Sequence, residues 1–312
     1  MPWPSVRRVF FSAAGATFRC RGGFPSMAPR WIGMLWLLLG MSVSAVERDI
    51  RYIERPGFAA GLTSLDLHPP GVRGKQASPV IVLLHGGGWS AGDKARDGFL
   101  QPKTSWLNRH GCLVASVNYR LSPAVRHPAH IDDVAAALAW LQKNVGRYGG
   151  DPQRIYLLGH SAGAHLAALA AVDQERLRHA GADPGAIRGV ILLDGAGYDI
   201  PRQYAIATRS VLTGRMYRNA FTEDPVVQRD ASPACKTIRN PPPFLILHVA
   251  GRADARQQAE LLAEALRKGG GEAAVKAIAG KNHMEINRDC GKAGDPVTRA
   301  VAAFLGLNET AW

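Results

Sequence analysis

Cysteine is scarce in this sequence of 312 residues, which holds Cys20, Cys112, Cys235 and Cys290 and no others. Their spacing fits no metal-ligand pattern, so the sequence argues against both a cysteine-based metal site and a disulfide-dense scaffold. Cys112 stands in an apolar run and is expected to be an inert buried thiol. If the protein is exported, we expect a single disulfide between Cys235 and Cys290.

Acidic residues are missing from the first 45 positions, which carry five arginines and then an apolar run from Trp31 to Met41. A membrane span needs about 20 apolar residues, whereas the core of a signal peptide needs roughly 7 to 15. The small residues Val43-Ser44-Ala45 then supply a cleavage site. We therefore predict a signal peptide over residues 1–45, with Met27 as an alternative start, and a secreted or periplasmic protein. An uncleaved membrane anchor formed by residues 31–41 and a buried core helix are the weaker alternatives.

The sequence also lacks a basic stripe interleaved with aromatic residues, although its formal net charge is +13. Removing the leader with its five arginines leaves +8, spread along the chain. This pattern favours solubility or mild surface attraction over nucleic-acid binding. We find no repeats and no low-complexity tract, and the 46% hydrophobic and 20% charged composition is that of a globular protein. One large α/β domain is expected over residues 46–312.

Apolar runs of strand length alternate with helical patterns along the mature chain. This alternation predicts βαβ units and a mainly parallel, buried sheet with helices on both faces. The predicted strands are Pro79 to Leu84, Cys112 to Asn118, Arg154 to Leu158, Val190 to Leu193, Pro243 to Val249 and Ala273 to Ile278. The predicted helices are Ile131 to Val145, Ala162 to Val172, Ala255 to Leu266 and Pro296 to Leu305. Residues 198–230 break the rhythm and are expected to form a small cap over a pocket.

The motif Gly159-His160-Ser161-Ala162-Gly163 matches the nucleophile elbow G-x-S-x-G and stands between a predicted strand and an Ala-rich helix. The flanking glycines remove side chains that would collide in so sharp a turn, and the helix directs its N–H groups and its positive dipole end toward the serine. Ser161 is therefore the predicted nucleophile. A plain strand-to-helix turn is the alternative.

A second glycine-rich loop, His85-Gly86-Gly87-Gly88-Trp89, follows another predicted strand directly. The N–H groups of Gly87, Gly88 and Ala162 are the predicted donors to the oxyanion of a tetrahedral intermediate. A flexible turn or a phosphate cradle is the alternative, but the Gly-Lys-Ser/Thr ending of a phosphate loop is missing. Trp89 is expected to pack beneath the loop.

A nucleophilic serine in this fold class needs an acid and then a histidine later in the chain. His283 follows the last predicted strand and is the predicted base, because His248 lies inside a strand and His179 in a polar stretch. For the acid we prefer Asp254, which follows the preceding strand and is also placed to cap a helix. Its rivals, Asp194 and Asp199, follow the strand before that.

Three segments together, HGGGW at His85 to Trp89, VNYRLSP at Val117 to Pro123 and GHSAGAHLAAL at Gly159 to Leu169, resemble esterases of the α/β-hydrolase fold in the hormone-sensitive-lipase and feruloyl-esterase-like groups. The elbow is also similar to that of kynurenine formamidases. The resemblance implies an α/β-hydrolase fold, with Ser161, Asp254 and His283 as a catalytic triad and the same three oxyanion donors. One departure is that Ala255-Arg256-Gln257 follows the aspartate, where the family usually has a small polar residue and then Val-Pro.

Three functions remain open from the sequence: hydrolysis of small carboxylic esters, which we prefer, cleavage of an aryl formamide, and non-catalytic binding on an inherited hydrolase fold. The export signal argues against the formamidase, because tryptophan breakdown is normally intracellular. His160 and His165 are expected to be structural. We expect no cofactor and no metal, a small-molecule ester as substrate, no nucleic-acid partner, and membrane contact only through an uncleaved leader.

Overall fold

The computed structural model describes residues 45–71 and 74–307, so the predicted leader lies outside the described residues except for Ala45. The described chain is built around one sheet of eight strands. In chain order they are β1 (Glu47–Arg51), β2 (Ser64–His68), β3 (Ser78–Leu84), β4 (Leu113–Val117), β5 (Gly150–His160), β6 (Ile187–Leu193), β7 (Phe244–Val249) and β8 (Ala273–Ile278).

The strands lie in the order β1-β2-β4-β3-β5-β6-β7-β8. β1 and β2 are antiparallel to their neighbours, and the six strands from β3 onward run parallel to each other. This confirms the predicted fold class, and all six predicted strands are present. The carboxyl ends of the parallel strands meet at one edge of the sheet, which is where such folds place their ligands.

Ten α-helices cover the sheet in the described part of the chain. They are α1 (Asp97–Arg109), α2 (Ala129–Asn144), α3 (Ala162–Val172), α4 (Gln174–His179), α5 (Ile200–Ala207), α6 (Val211–Phe221), α7 (Pro225–Asp230), α8 (Ala253–Lys268), α9 (Glu285–Arg288) and α10 (Pro296–Leu305). No helix among these residues is long and apolar enough to cross a bilayer.

The side chains of β3 show how the sheet separates two cores. Val80, Val82 and Leu84 pack with α2, α3 and α8. Ile81 and Leu83, on the opposite face, pack with α1, α9 and α10. Successive side chains of a strand point to opposite faces, so a strand covered on both sides must be apolar throughout. That is why these strands appear in the sequence as unbroken apolar runs.

Residues 198–230, the predicted cap, fold into α5, α6 and α7. Asp199 and Asp224 cap α5 and α7, each accepting a hydrogen bond from a backbone N–H in the first turn. Tyr217 and Phe221 of α6 make edge contacts with Trp89, with ring centroids 5.2 and 4.6 Å apart. The cap segment therefore packs directly on the glycine-rich loop after β3.

The expected disulfide is wrong: Cys112, Cys235 and Cys290 are all free thiols. Cys290 is wholly buried among the side chains of α1, α9 and α10, whereas Cys235 is exposed in a short 3-10 helix after the cap segment. The prediction that Cys112 is a buried thiol is confirmed, and burial raises its pKa to about 12.

Candidate active site

Ser161 lies between the last residue of β5 and the first residue of α3, in a backbone conformation that residues other than glycine rarely adopt. Its φ is +53° and its ψ −119°. Two hydrogen bonds hold the turn, from Ser161 N–H to the Leu193 carbonyl (3.0 Å) and from His165 N–H to the Ser161 carbonyl (3.1 Å). Strained residues of this kind persist only where the surroundings fix them. The sequence motif thus folds into the sharp strand-to-helix turn that it predicts.

The glycines of the elbow are required by close backbone contacts. A Cβ atom on Gly163 would lie 2.1 Å from the Leu84 carbonyl oxygen, and one on Gly159 would lie 2.2 Å from the Gly163 carbonyl oxygen. Both distances are far below van der Waals contact. The glycines therefore let α3 approach the end of β3, which brings the serine next to the glycine-rich loop.

Ser161, His283 and Asp194 form a continuous hydrogen-bonded chain. His283 Nε2 lies 3.1 Å from Ser161 Oγ, and His283 Nδ1 lies 2.6 Å from Asp194 Oδ2. The Asp194 side chain is fully buried, and its Oδ1 accepts a hydrogen bond from Val249 N–H at 2.9 Å. Burial alone would raise the pKa of this carboxyl, but the bonds from His283 and Val249 and the charge of Arg252 lower it to about 2. Asp194 is therefore ionised at neutral pH, when its oxygens can only accept hydrogen bonds.

Asp254, the acid that we preferred from the sequence, does not contact His283. Its Oδ2 accepts instead from Arg252 at 2.8 Å and from the Gln203 amide at 3.4 Å. The reason is geometric: Asp194 directly follows the end of β6, the strand beside the serine strand, whereas Asp254 stands in the first turn of α8, five residues beyond β7. Asp199, the other alternative from the sequence, has a different role, since its side chain caps α5.

Arg252, which the sequence analysis did not single out, lies between the two carboxylates. Its Nη1 is 2.5 Å from Asp194 Oδ2 and 3.0 Å from His283 Nδ1, while its Nη2 bonds Asp254. A histidine Nδ1 that donates to Asp194 cannot also accept from Arg252, so the guanidinium acts there as a neighbouring charge. Asp254 balances that charge on its other side.

The glycine-rich loop after β3 turns at Gly87, whose φ is +126° and whose added Cβ would lie 2.1 Å from the Ala91 carbonyl oxygen. The Gly87 carbonyl accepts from Ser90 N–H and Ala91 N–H, which closes the turn. Within the described residues, the N–H groups of Gly87, Gly88 and Ala162 donate to no protein acceptor. All three residues line the same cavity as Ser161. These N–H groups are therefore free to bind a substrate oxygen.

His165, on the elbow helix α3, links this loop to the residue that directly follows the cap segment. Trp89 Nε1 donates to His165 Nδ1 at 3.2 Å, and His165 Nε2 donates to the Ala231 carbonyl at 2.7 Å. Full burial lowers the pKa of His165 to about 3, so the ring stays neutral with its proton on Nε2. Trp89 is buried beneath the loop, as predicted. The expectation that His165 is a structural residue fits this geometry.

Two buried groups hold the loop that carries His283. His160 Nε2 donates to the His283 carbonyl at 2.8 Å, and its ring lies 4.6 Å from the His283 ring. Burial lowers the pKa of His160 to about 3. Lys103 of α1 donates to the carbonyls of Phe99 and Asn287, and burial lowers its pKa to about 8. The histidine loop is thus tied both to the elbow and to α1.

Ser161 opens into a cavity of about 480 Å³. Helix α1 contributes Phe99 and Leu100 to its lining, and the cap segment contributes Ile206, Ala207 and Met216. The walls are thus largely apolar, while the donors of the glycine-rich loop and the His283 ring lie beside the serine. A ligand of this cavity would present a polar group to the serine and apolar groups to the walls.

A serine on a strained strand-to-helix turn that meets a histidine from a later loop, in a mostly parallel sheet, defines the class of the α/β-hydrolases. More narrowly, the chain belongs to the family whose model is described as BD-FAE, which matches residues 65–266. The predicted resemblance to α/β-hydrolase esterases is thereby confirmed.

Several relatives carry esterase names. Esterase LipQ of Mycobacterium tuberculosis is 30% identical over 278 residues, which are 85% of this chain and 63% of that protein. The probable isoprenylcysteine alpha-carbonyl methylesterase ICME of Oryza sativa is 29% identical over 257 residues, 77% of this chain and 58% of that protein. The chain therefore spans about 60% of the length of these curated relatives.

Solved structures show the same fold. Esterase B from Lactobacillus rhamnosis matches with a TM-score of 0.69 and 21% identity, covering 84% of this chain and 85% of that one. The hyperthermophilic esterase from Pyrobaculum calidifontis matches with a TM-score of 0.62 and 25% identity, covering 78% and 82%.

Proposed function

We propose that this chain is a serine hydrolase that cleaves small carboxylic esters through an acyl-enzyme on Ser161. The observation that carries the proposal is the hydrogen-bonded chain from Ser161 Oγ through His283 to Asp194, with distances of 3.1 and 2.6 Å. In this proposal Asp194 takes the role that the sequence analysis gave to Asp254. The names of the relatives add support.

The proposed reaction has two halves. His283 Nε2 takes the proton of Ser161 as the oxygen attacks the ester carbonyl, and then gives it to the departing alcohol, which leaves the acyl group on the serine. Water then attacks the carbonyl of this acyl group with the same histidine as base. The bond to the serine oxygen breaks, the serine regains its proton from the histidine, and the carboxylic acid is released. Asp194 keeps the proton of the neutral ring on Nδ1, so that Nε2 is free to accept, and it stabilises the imidazolium that forms.

The oxyanion of each tetrahedral intermediate is proposed to bind the N–H groups of Gly87, Gly88 and Ala162. Since these donors are already held in place and lack protein partners in the described chain, they need no rearrangement when charge develops. One such donor is commonly worth about 2.7 to 4 kcal/mol of transition-state stabilisation. Loss of the loop geometry would therefore lower kcat more than it raises KM.

A cavity of about 480 Å³ between α1 and the cap segment favours esters with short or medium chains. The decisive experiment compares p-nitrophenyl acetate with N-formylkynurenine on the purified protein. We expect clear hydrolysis of the ester and a much lower kcat/KM on the formamide. The reverse preference would replace the esterase proposal with the arylformamidase alternative.

The nucleophile is tested by Ser161→Ala with Ser210→Ala as the matched control, because Ser210 is exposed and its side chain caps nothing. We expect the first variant to lose all but a trace of activity and its labelling by a fluorophosphonate, and the second to keep both. Unlabelled wild-type protein would instead favour the non-catalytic binding function.

Export is proposed on the leader sequence alone. Amino-terminal sequencing of protein recovered from the periplasm or medium is expected to begin at Val46. An intact leader on membrane-bound protein would favour the anchor.

A further inference from the structure

The junction between α5 and α6 exposes apolar side chains to an unusual degree. Residues 208–213 are six consecutive exposed residues, which we call the cap knuckle. Within it Val211 is 91% and Leu212 79% exposed, the two highest values among the large hydrophobic side chains of the described residues. Isolated exposed aliphatics are common, but two adjacent ones this exposed on a projecting turn are not explained by the packing of the cap.

The charge around the knuckle has one sign. No acidic residue occurs between Ile200 and Thr222, whereas four arginines do. Arg202 and Arg218 pair with Asp199 and Glu223 at the ends of this stretch. The other two, Arg209 and Arg215, are exposed and form no ion pair within the described residues. The knuckle therefore combines an aliphatic tip with unbalanced positive charge.

The knuckle also borders the active-site cavity. Leu212 precedes Met216 by one helical turn, so the two side chains share a face of α6. Met216 lines the cavity and reaches the glycine-rich loop, since a Cβ atom on Gly88 would lie 2.2 Å from its sulfur. Thr213, the next residue after Leu212, lines the cavity as well. A surface that met the knuckle would therefore lie close to residues that line the cavity.

We propose that the cap knuckle is a docking surface for an anionic lipid surface, which Val211 and Leu212 enter while Arg209 and Arg215 lie against the headgroups. Aliphatic tips with flanking cations are the composition that binds such interfaces. A second protein fits less well, because two side chains cannot supply the roughly 800 Å² per partner of a stable interface. Nucleic acid fits less well too, because the exposed tip carries no aromatic ring on which bases could stack.

The test is co-sedimentation of the whole protein with phosphatidylglycerol–phosphatidylcholine vesicles and with pure phosphatidylcholine vesicles. Two matched variants remove one aliphatic side chain and one arginine each. The knuckle variant is Leu212→Ser with Arg215→Gln, where Arg215 lies on α6 just beyond the knuckle, and the α7 variant is Val226→Ser with Arg229→Gln, where both residues are also exposed. Every protein carries the same amino terminus, so any leader contributes equally. Thermal melting followed by circular dichroism checks that each variant is folded, and none of the four residues lines the cavity.

We expect the wild type to bind the anionic vesicles, and the knuckle variant to bind them at least about tenfold more weakly. The α7 variant should bind as the wild type does. Raising the salt from about 0.1 M to about 1 M, which shortens the Debye length from about 10 to about 3 Å, should weaken the binding. The proposal is overturned by equal binding to neutral and anionic vesicles, by unchanged binding of the knuckle variant, by an equal loss in the α7 variant, or by knuckle-dependent dimerisation in place of vesicle binding. These readouts do not depend on Ser161, so the docking surface and the proposed esterase activity can fail separately.

Discussion

Two single variants, Asp194→Asn and Asp254→Asn, test which of the two carboxylates near His283 is the acid of the proposed triad. Asparagine keeps the size of aspartate but replaces one acceptor oxygen with a donor amide. At position 194 both sides of the carboxylate face donors, since Oδ1 accepts from Val249 N–H and Oδ2 from His283 and Arg252. Either orientation of the amide therefore sets a donor against a donor, and the orientation that turns the amide N–H toward His283 favours the wrong tautomer of its ring.

The expected magnitude follows from this geometry. A serine hydrolase whose acid is changed to asparagine loses about 10,000-fold in kcat when the tautomer of the histidine is lost. We expect a loss of that order for Asp194→Asn. We expect less than about tenfold for Asp254→Asn, because among the described residues the Asp254 carboxylate bonds only Arg252 and Gln203, and that partly exposed contact is worth about 1 kcal/mol.

The assay is kcat on p-nitrophenyl acetate at saturating substrate, with thermal melting followed by circular dichroism to confirm that both variants fold. A loss in Asp254→Asn equal to or greater than that in Asp194→Asn would refute the reasoning and restore the acid preferred from the sequence.

Three further outcomes are expected. The pKa of Asp194 in the folded protein, about 2, lies below its ordinary value of 3.8, so the carboxylate contributes about 2 kcal/mol to the free energy of unfolding. This contribution is present above about pH 4 and is lost as the pH falls through about 2. Urea unfolding should show that this part of the acid destabilisation is absent from Asp194→Asn, and an identical pH dependence would count against the assignment. Trp89→Phe leaves His165 Nδ1 buried without a donor and should lower the free energy of unfolding by about 1 to 3 kcal/mol more than Trp106→Phe, which controls for ring volume. Equal losses in the two variants would show that the hydrogen bond contributes nothing. In native protein a thiol reagent should react with exposed Cys235 and reach the buried thiols only after denaturation, whereas no reactive thiol before reduction would indicate a disulfide.

The parallel strands were predictable because each is covered on both faces and must be apolar along its length. β1 and β2 were missed because ERDIR and SLDLH are short and rich in polar residues. Helix α1 was missed because Gly98 and Pro102 interrupt its pattern, although Pro102 lies inside the helix.

The site was predictable in part. The serine turn and the histidine loop have strong local patterns, and the structure joins the two side chains. The acid could not be decided by chain order, because Asp194 and Asp254 both stand between serine and histidine. Two signals in the sequence favoured Asp194: it directly follows an apolar strand, and Arg252 stands two residues before Asp254 as a competing partner. The side-chain links through His160 and His165 depend on contacts between distant segments, and no local pattern carries them.

The hydrogen bonds of His165 limit how the cap of this protein can be exchanged. The Ala231 carbonyl, just after the cap segment, fixes the proton on His165, and His165 in turn holds Trp89 of the glycine-rich loop. A chimera that exchanged residues 198–230 for the cap of a relative, in order to reshape the cavity, would leave Ala231 in the sequence, but its carbonyl would stay in place only if the new cap rejoined the chain with the same geometry. A successful graft must therefore keep the Ala231 carbonyl within hydrogen-bond distance of His165 Nε2, since otherwise His165 would no longer hold Trp89 and the glycine-rich loop in place.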